Sequence, residues 1–273
     1  MKYTEPIEFK GLGDLKEYGT LYRDKFIKDS IIVFRNAHLS HDDHLTAQKI
    51  LGDFIGWWPN NTGGIESRYT ENHKPNAIRT PDEDNKDVVI LPWHVEHPFF
   101  TNPIVAGLWN MYKFRIPSDR GKTYFIDTRI IYNLMSEDWK EFLNKCVANA
   151  YSWNHTQSFH PCKVVVPHWI TGEPTIRLQL QDARRGFHDL VKFDDREPTE
   201  EEQDKFLKIY QWIIDEIWNN EKYRIVHKWQ EGDLVIPDLH CLAHAITGGF
   251  SHEDREFTGL WSYQKDNNIY PWY

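Results

Sequence analysis

The chain has 273 residues, of which 40% are hydrophobic and 15% aromatic, with 12 Trp, and this excludes a disordered or low-complexity polypeptide. Its net charge of −9 gives no basic excess for displacing counterions from a nucleic acid, although a locally basic pocket for a small anion remains open. Three widely spaced cysteines (Cys146, Cys162, Cys241), no signal-peptide core and no run near the ~20 apolar residues of a membrane span point to a soluble cytoplasmic protein without a disulfide framework.

Apolar residues at Leu12, Leu15, Leu21, Tyr22 and Phe26 predict a helix over 12–27, and Ser30–Arg35 reads as a buried strand. Ser40 is placed to cap a helix with Asp43 in its first turn and Ala47, Ile50, Leu51 and Phe54 on one face. Residues 56–87 are rich in Pro, Asn, Gly and Asp and read as long loops, which are often functional. A strand is expected from Val88 to Leu91, running into Trp93-His94-Val95-Glu96, and another over 104–116. Ser136 should cap a helix ending near Ala150. Val164–Val166 and Thr175–Leu180 read as two strands joined around Thr171–Pro174, with 182–197 charged and irregular. Thr199-Glu-Glu-Glu202 is a capping-box pattern leading Phe206, Tyr210, Ile213, Ile214, Ile217 and Trp218 at helical spacing. The last third reads as strands: Tyr223–Trp229, Leu234–Pro237, Leu242–Ile246 and Phe257–Tyr263. Strands outnumber helices, and the pattern suits a β-sandwich or jelly-roll core with helical decoration. The sequons at Asn60 and Asn154 read as chance matches.

Two signals carry chemistry. Side chains alternate along a strand, so His94 and Glu96 face one way and Val95 the other, and an imidazole and a carboxylate can then share one metal ion. Far downstream stand Gly232-Asp233, Asp238, His240, His244 and Arg255. A third ligand from there would complete a 2-His-1-carboxylate face, which leaves coordination positions open. His240 and His244 also read as ordinary sheet histidines, or as a helical i, i+4 pair. The strand-like flanks speak against the helical pair.

These residues resemble the taurine dioxygenase-like Fe(II)/2-oxoglutarate-dependent oxygenases of the clavaminate synthase-like superfamily, from about residue 18 to 264. The segment from Ile31 to Phe54 resembles the family's early strand–helix unit. Trp93-His94-Val95-Glu96 resembles its W-H-x-D/E, and Asp119–Thr123 with Phe125, Asp127 and Tyr132 its G-G-x-T segment. Val164–Glu173 resembles a hairpin carrying HP-x-TG, and Gly232-Asp233 with Asp238 the GD…WDN stretch. The resemblance implies a single domain over 1–273, mainly β with flanking helices, folded as a double-stranded β-helix (jelly roll, cupin-like). It implies Fe(II) at His94, Glu96 and His244, with His244 chosen over His240 by its offset from Asp238. It implies 2-oxoglutarate as cosubstrate, its far carboxylate on Arg255 with Thr123 assisting. With O2, succinate and CO2 are released and an unactivated C–H of a small polar metabolite is oxidised, most simply by hydroxylation.

Glu96 stands where the taurine enzymes have Asp. Gly259 stands where they place an arginine for the sulfonate, which argues against taurine as substrate. Pro237-Asp238-Leu239 replaces W-D-N. A free amino acid is the leading substrate class, with desaturation or cyclisation, or a sulfonate, phosphonate or aryloxy acid, as alternatives. Arg177, Arg184 and Arg185 are candidates for an acidic group but read equally as surface charges. His97, His168, Trp57, Trp58 and Trp93 are candidate pocket walls that also read as structural. A JmjC-type enzyme, which would hold 2-oxoglutarate with a lysine, and a non-catalytic cupin-like metal-binding protein are the rivals. No nucleic-acid or membrane partner is expected, and a homo-oligomer is open.

Overall fold

The structure is a computed structural model that describes residues 5–59, 89–96, 104–116, 120–151, 159–178, 190–248, 250 and 254–264. Most of the expected 56–87 loops, His97, Asp119, Arg184, Arg185 and both sequons lie outside the described residues.

β1 (Ile7–Glu8) runs parallel to β2 (Ile31–Arg35), and between them the chain makes α1 (Leu12–Glu17) and α2 (Gly19–Asp29). The single helix expected over 12–27 is therefore two. Helical hydrogen bonds run into and out of Tyr18, but its backbone (φ −106°, ψ 17°) bends the axis there. Gly19 then lies against the ring of Phe54, where a Cβ would come within 2.1 Å of it. Packing on the next helix sets this break. That helix, α3 (His41–Ile55), begins as expected, with the Ser40 hydroxyl accepting from the Asp43 amide. Gly56, at φ +102°, ends it in a conformation that favours glycine and turns the chain into β3 (Trp57–Pro59).

Next come β4 (Val89–His94), β5 (Ile104–Phe114) and β6 (Thr123–Asp127), then α4 (Thr128–Leu134), which had no clear sequence signal. α5 (Glu137–Leu143) starts at the expected Ser136 cap but stops seven residues before Ala150, because Cys146–Tyr151 form β7. This short apolar run reads equally as helix or strand in isolation, and pairing with β8 (Phe159–Lys163) and β11 (Leu190–Phe193) decides it. β9 (Val165–Pro167) and β10 (Pro174–Ile176) form the expected hairpin with a shorter second strand. β11 lies within the stretch expected to be irregular.

α6 (Glu200–Asn219) is the expected long helix, with both capping-box bonds present at Thr199 and Glu202. Losing such a cap costs about 1 kcal/mol. Thr199→Ala should lower stability in urea denaturation by about that amount, and an unchanged midpoint would show the cap to be idle. β12 (Ile225–His227), β13 (Leu234–Pro237), β14 (Leu242–Thr247) and β15 (Arg255–Gln264) complete the chain.

The larger sheet has the order β1-β2-β13-β5-β15-β3 and the smaller β12-β6-β14-β4. Val33, Trp109, Phe125, Val235 and Leu242 pack between the two sheets. Phe26, Phe34, Leu51 and Ile236 fill the space between the larger sheet and α1–α3. Ile126, Ala243, Ala245, Phe206 and Ile213 do the same between the smaller sheet and α6. Strand alternation thus sends Ala243 and Ala245 outward and leaves His244 facing the interior. This is the jelly-roll-like arrangement expected. Among the described residues no helix is long and apolar enough to cross a membrane.

Candidate active site

β4 and β14 are hydrogen-bonded neighbours, and their register sets His94 directly opposite His244. Cross-strand pairs place side chains side by side on one face, and the two imidazole centroids lie 4.0 Å apart. The ladder ends at His94, yet the alternation persists: Val95 is buried in the outer cluster and Glu96 returns to the inner side. Its Oε2 lies 3.9 Å from His94 Nε2 and 3.7 Å from His244 Nε2. Two ligands about 2.1 Å from a shared ion are at most about 4.2 Å apart, so one cation fits between these donors with little movement. Burial, and secondly the facing His94, holds the His244 imidazole well below its ordinary pKa. It is therefore neutral, the form that ligates metal.

A second feature lies on the opposite sheet. Arg255, at the start of β15, is 6% exposed, and none of its three guanidinium nitrogens has a partner among the described residues. Aromatic rings surround it, with centroids at 4.9 Å (Phe257), 5.2 Å (Phe250) and 5.6 Å (Trp229). Burial alone lowers its pKa to about 10, which leaves it charged at neutral pH. Buried charge is costly and such groups are normally paired, so a guanidinium with no hydrogen-bond partner among the described residues offers a place for an anion. Trp229 links this pocket to Thr123, whose Oγ1 accepts from the indole Nε1 at 2.9 Å. The Thr123 hydroxyl proton stays available to donate. Gly121, in the turn before it, adopts φ +59° and packs on Phe250. A dicarboxylate reaching from the His94–Glu96–His244 cluster to a guanidinium matches this donor set: carboxylate and carbonyl oxygens for the metal, a two-pronged donor for the far end.

Other candidates resolve differently. Arg177 is fully buried and donates to three main-chain carbonyls, so it is not a surface charge. Trp57 is core, its Nε1 donating to the Gln48 carbonyl, while Trp58 is exposed. Trp93 packs outward against Tyr124 in the outer cluster. His168 Nδ1 accepts from the Thr171 amide, so Nε2 carries the proton and donates to Asp238 at 2.8 Å. Cys241 lies beside this pair, its thiol pushed far up by burial and by Asp238 and donating to the Asp238 main-chain carbonyl. His240 sits against His168, away from the triad. All three cysteines are free.

The sequence reading missed Trp109. It stands opposite Gly259 in the β5–β15 register, and its indole covers both Gly259 and Gly107, where a Cβ would lie 2.8 and 2.6 Å from the ring. The same indole stacks on Phe125 and lies 5.1 Å from the His244 ring. No larger side chain fits at 259. Tyr263, also missed, has its phenol pushed up by burial and secondly by Glu96.

The sequence model described as "Taurine catabolism dioxygenase TauD, TfdA family" matches residues 12–261. The (S)-phenoxypropionate/alpha-ketoglutarate-dioxygenase of Sphingobium herbicidovorans is 23% identical over 258 residues, covering 86% of this chain and 83% of its own. A taurine dioxygenase structure from Burkholderia xenovorans superposes with a TM-score of 0.65 at 16% identity, covering 91% of this chain and 80% of the other. AAD-2 in complex with Mn(II) and N-oxalylglycine superposes at 0.63 with 15% identity, covering 97% and 96%.

Proposed function

Because the chain belongs to the taurine catabolism dioxygenase TauD, TfdA family, whose members use Fe(II), 2-oxoglutarate and O2, we propose that His94, Glu96 and His244 hold the iron and that Arg255 and Thr123 hold the far carboxylate of 2-oxoglutarate. The buried guanidinium of Arg255, with no hydrogen-bond partner among the described residues, is the observation that carries this reading. A metal-binding protein without a cosubstrate has no use for such a residue.

The bound iron supplies the oxidation of the substrate C–H, coupled to conversion of 2-oxoglutarate to succinate and CO2. The chain's own residues bind, orient and exclude water. His94, Glu96 and His244 would hold the ion with two imidazoles and one carboxylate, a donor set that suits Fe(II). Arg255 supplies a fixed cation in a site lined by Trp229, Phe250 and Phe257, where water does not compete for the carboxylate. Thr123 donates a single hydrogen bond that sets the carboxylate's rotation, and the Trp229 indole fixes the Thr123 rotamer.

The substrate in this proposal is a small polar metabolite hydroxylated at an unactivated carbon, with free amino acids as the first class to test. A second reading is an aryloxy acid. The Trp109 indole over Gly259 favours it by presenting an aromatic wall beside His244, and the named Sphingobium relative points the same way. A succinate-release screen over amino acids, sulfonates, phosphonates and aryloxy acids, with mass spectrometry of each hit, separates the readings. The expected hit is an amino acid gaining one oxygen, or an aryloxy acid that gains one oxygen and, when attacked at the carbon bonded to the ether oxygen, collapses to a phenol and a carbonyl acid, with taurine inactive. Turnover of taurine above all others would overturn the substrate assignment, and succinate release with no class of substrate would count against hydroxylation.

A further inference from the structure

β4 ends at His94, and the ladder with β14 that fixes its backbone ends there too. Glu96 lies two residues beyond, on main chain that strand pairing does not hold. Among the described residues, a side chain distant in sequence reaches that main chain. Arg177, just after β10, places its Nη2 3.0 Å from the Glu96 carbonyl oxygen. Its Nη1 donates to the carbonyls of Leu239 (3.0 Å) and His240 (3.1 Å). These carbonyls belong to the turn that feeds β14 and delivers His244 five and four residues later. The guanidinium therefore ties the point where the Glu96 segment leaves the sheet to the point where the His244 strand begins.

The rest of the turn is pinned from the other side. Asp238 Oδ1 accepts from the His240 amide at 3.1 Å, and its Oδ2 from His168. Arg177 itself is anchored, its amide donating to the Val164 carbonyl at 2.8 Å, and its side chain is fully buried. A planar fork with fixed donor directions can bridge carbonyls on two separate segments, whereas an ammonium on a flexible stem cannot hold both at once. Groups that orient a ligand from outside the coordination sphere commonly change metal affinity 10–100-fold when removed.

We infer that Arg177 is a positioning residue for the metal centre: it holds the main chain of Glu96 at the distance from His244 that one metal ion requires. The inference rests on the proposed ligand roles of His94, Glu96 and His244, and it assigns Arg177 no contact with substrate.

The test uses the full chain stripped of metal and titrated with Mn(II) alone, free Mn(II) being followed by electron paramagnetic resonance. The proteins are the wild type, Arg177→Lys, and Arg129→Lys as a control. Arg129 is a similarly buried arginine that bonds Asp127, Ser30 and Glu173 and touches no triad residue. Arg177→Lys is expected to raise the Mn(II) dissociation constant by about tenfold or more, and the apparent Fe(II) requirement for turnover in parallel, while kcat at saturating Fe(II) is retained. Arg129→Lys should lower the melting temperature and leave the Mn(II) constant unchanged. Equal Mn(II) affinity in Arg177→Lys and wild type would overturn the inference, as would an equal loss in both variants. If Arg177→Lys does not fold, Arg177→Gln is titrated in its place. If neither folds where Arg129→Lys does, Arg177 is a determinant of the fold and the positioning role is wrong. A wild type that binds no Mn(II) would instead overturn the ligand assignment beneath it.

Discussion

Glu96→Ala is expected to bind Mn(II) at least a hundredfold more weakly than wild type and to release succinate only at background. Complete four-ligand metal sites carry roughly 10–16 kcal/mol, or about 3 kcal/mol per ligand, and each 1.4 kcal/mol is tenfold in affinity. Removing Glu96 deletes the only anionic donor of the cluster His94–Glu96–His244, so the loss falls at the upper end of that estimate. The variant should fold normally, because the Glu96 side chain fills no part of the core clusters and the Arg177 bond is to its backbone. His240→Ala is the matched control: the histidine nearest in sequence to His244 lies against His168, outside the cluster. It should leave Mn(II) affinity intact. If Glu96→Ala bound Mn(II) as wild type does, the triad would not be the metal site.

Arg255→Met is the second large effect, and its two consequences run in opposite directions. Truncating one member of a buried charge pair costs about 2–5 kcal/mol, so the KM for 2-oxoglutarate should rise by about a hundredfold. The same change removes a buried cation that has no hydrogen-bond partner among the described residues and lies against the rings of Trp229, Phe250 and Phe257, and a buried charge without an ionic partner opposes folding. The ligand-free variant should therefore melt at or above the wild-type temperature. Ligand that binds only the folded state stabilises it by mass action, so saturating 2-oxoglutarate should raise the melting temperature of the wild type and leave that of the variant unmoved. A variant that melts lower and still responds to 2-oxoglutarate would mean that Arg255 is a structural residue and the anion pocket lies elsewhere.

Much of this was legible in the chain because it is encoded locally. The capping box at Thr199–Glu202, the Ser40 and Ser136 caps and the inward-facing His94 and Glu96 each depend on a few neighbouring residues. His244 and Arg255 were legible through their family spacing. What was not legible depends on partners far away in sequence. The break at Tyr18 comes from Gly19 meeting Phe54, and the change from α5 to β7 from pairing with β8 and β11. Arg177 looks like any charged residue until its bonds to Glu96, Leu239 and His240 are seen, 81, 62 and 63 positions away. Trp109 likewise reads as one more core aromatic. Only its register with Gly259 and its approach to His244 place it beside the site, and the missing side chain at 259 was the one available clue.

Anaerobic addition of Fe(II) and then 2-oxoglutarate to the metal-free chain tests the central claim most directly, because a keto acid chelating the iron gives a visible charge-transfer band. The wild type should develop the band at one equivalent of each, Glu96→Ala should show none, and Arg255→Met should need far more 2-oxoglutarate to reach it. A wild type without the band, or a Glu96→Ala protein with the wild-type band, would contradict the assignment of His94, Glu96, His244 and Arg255 to a single iron and 2-oxoglutarate site.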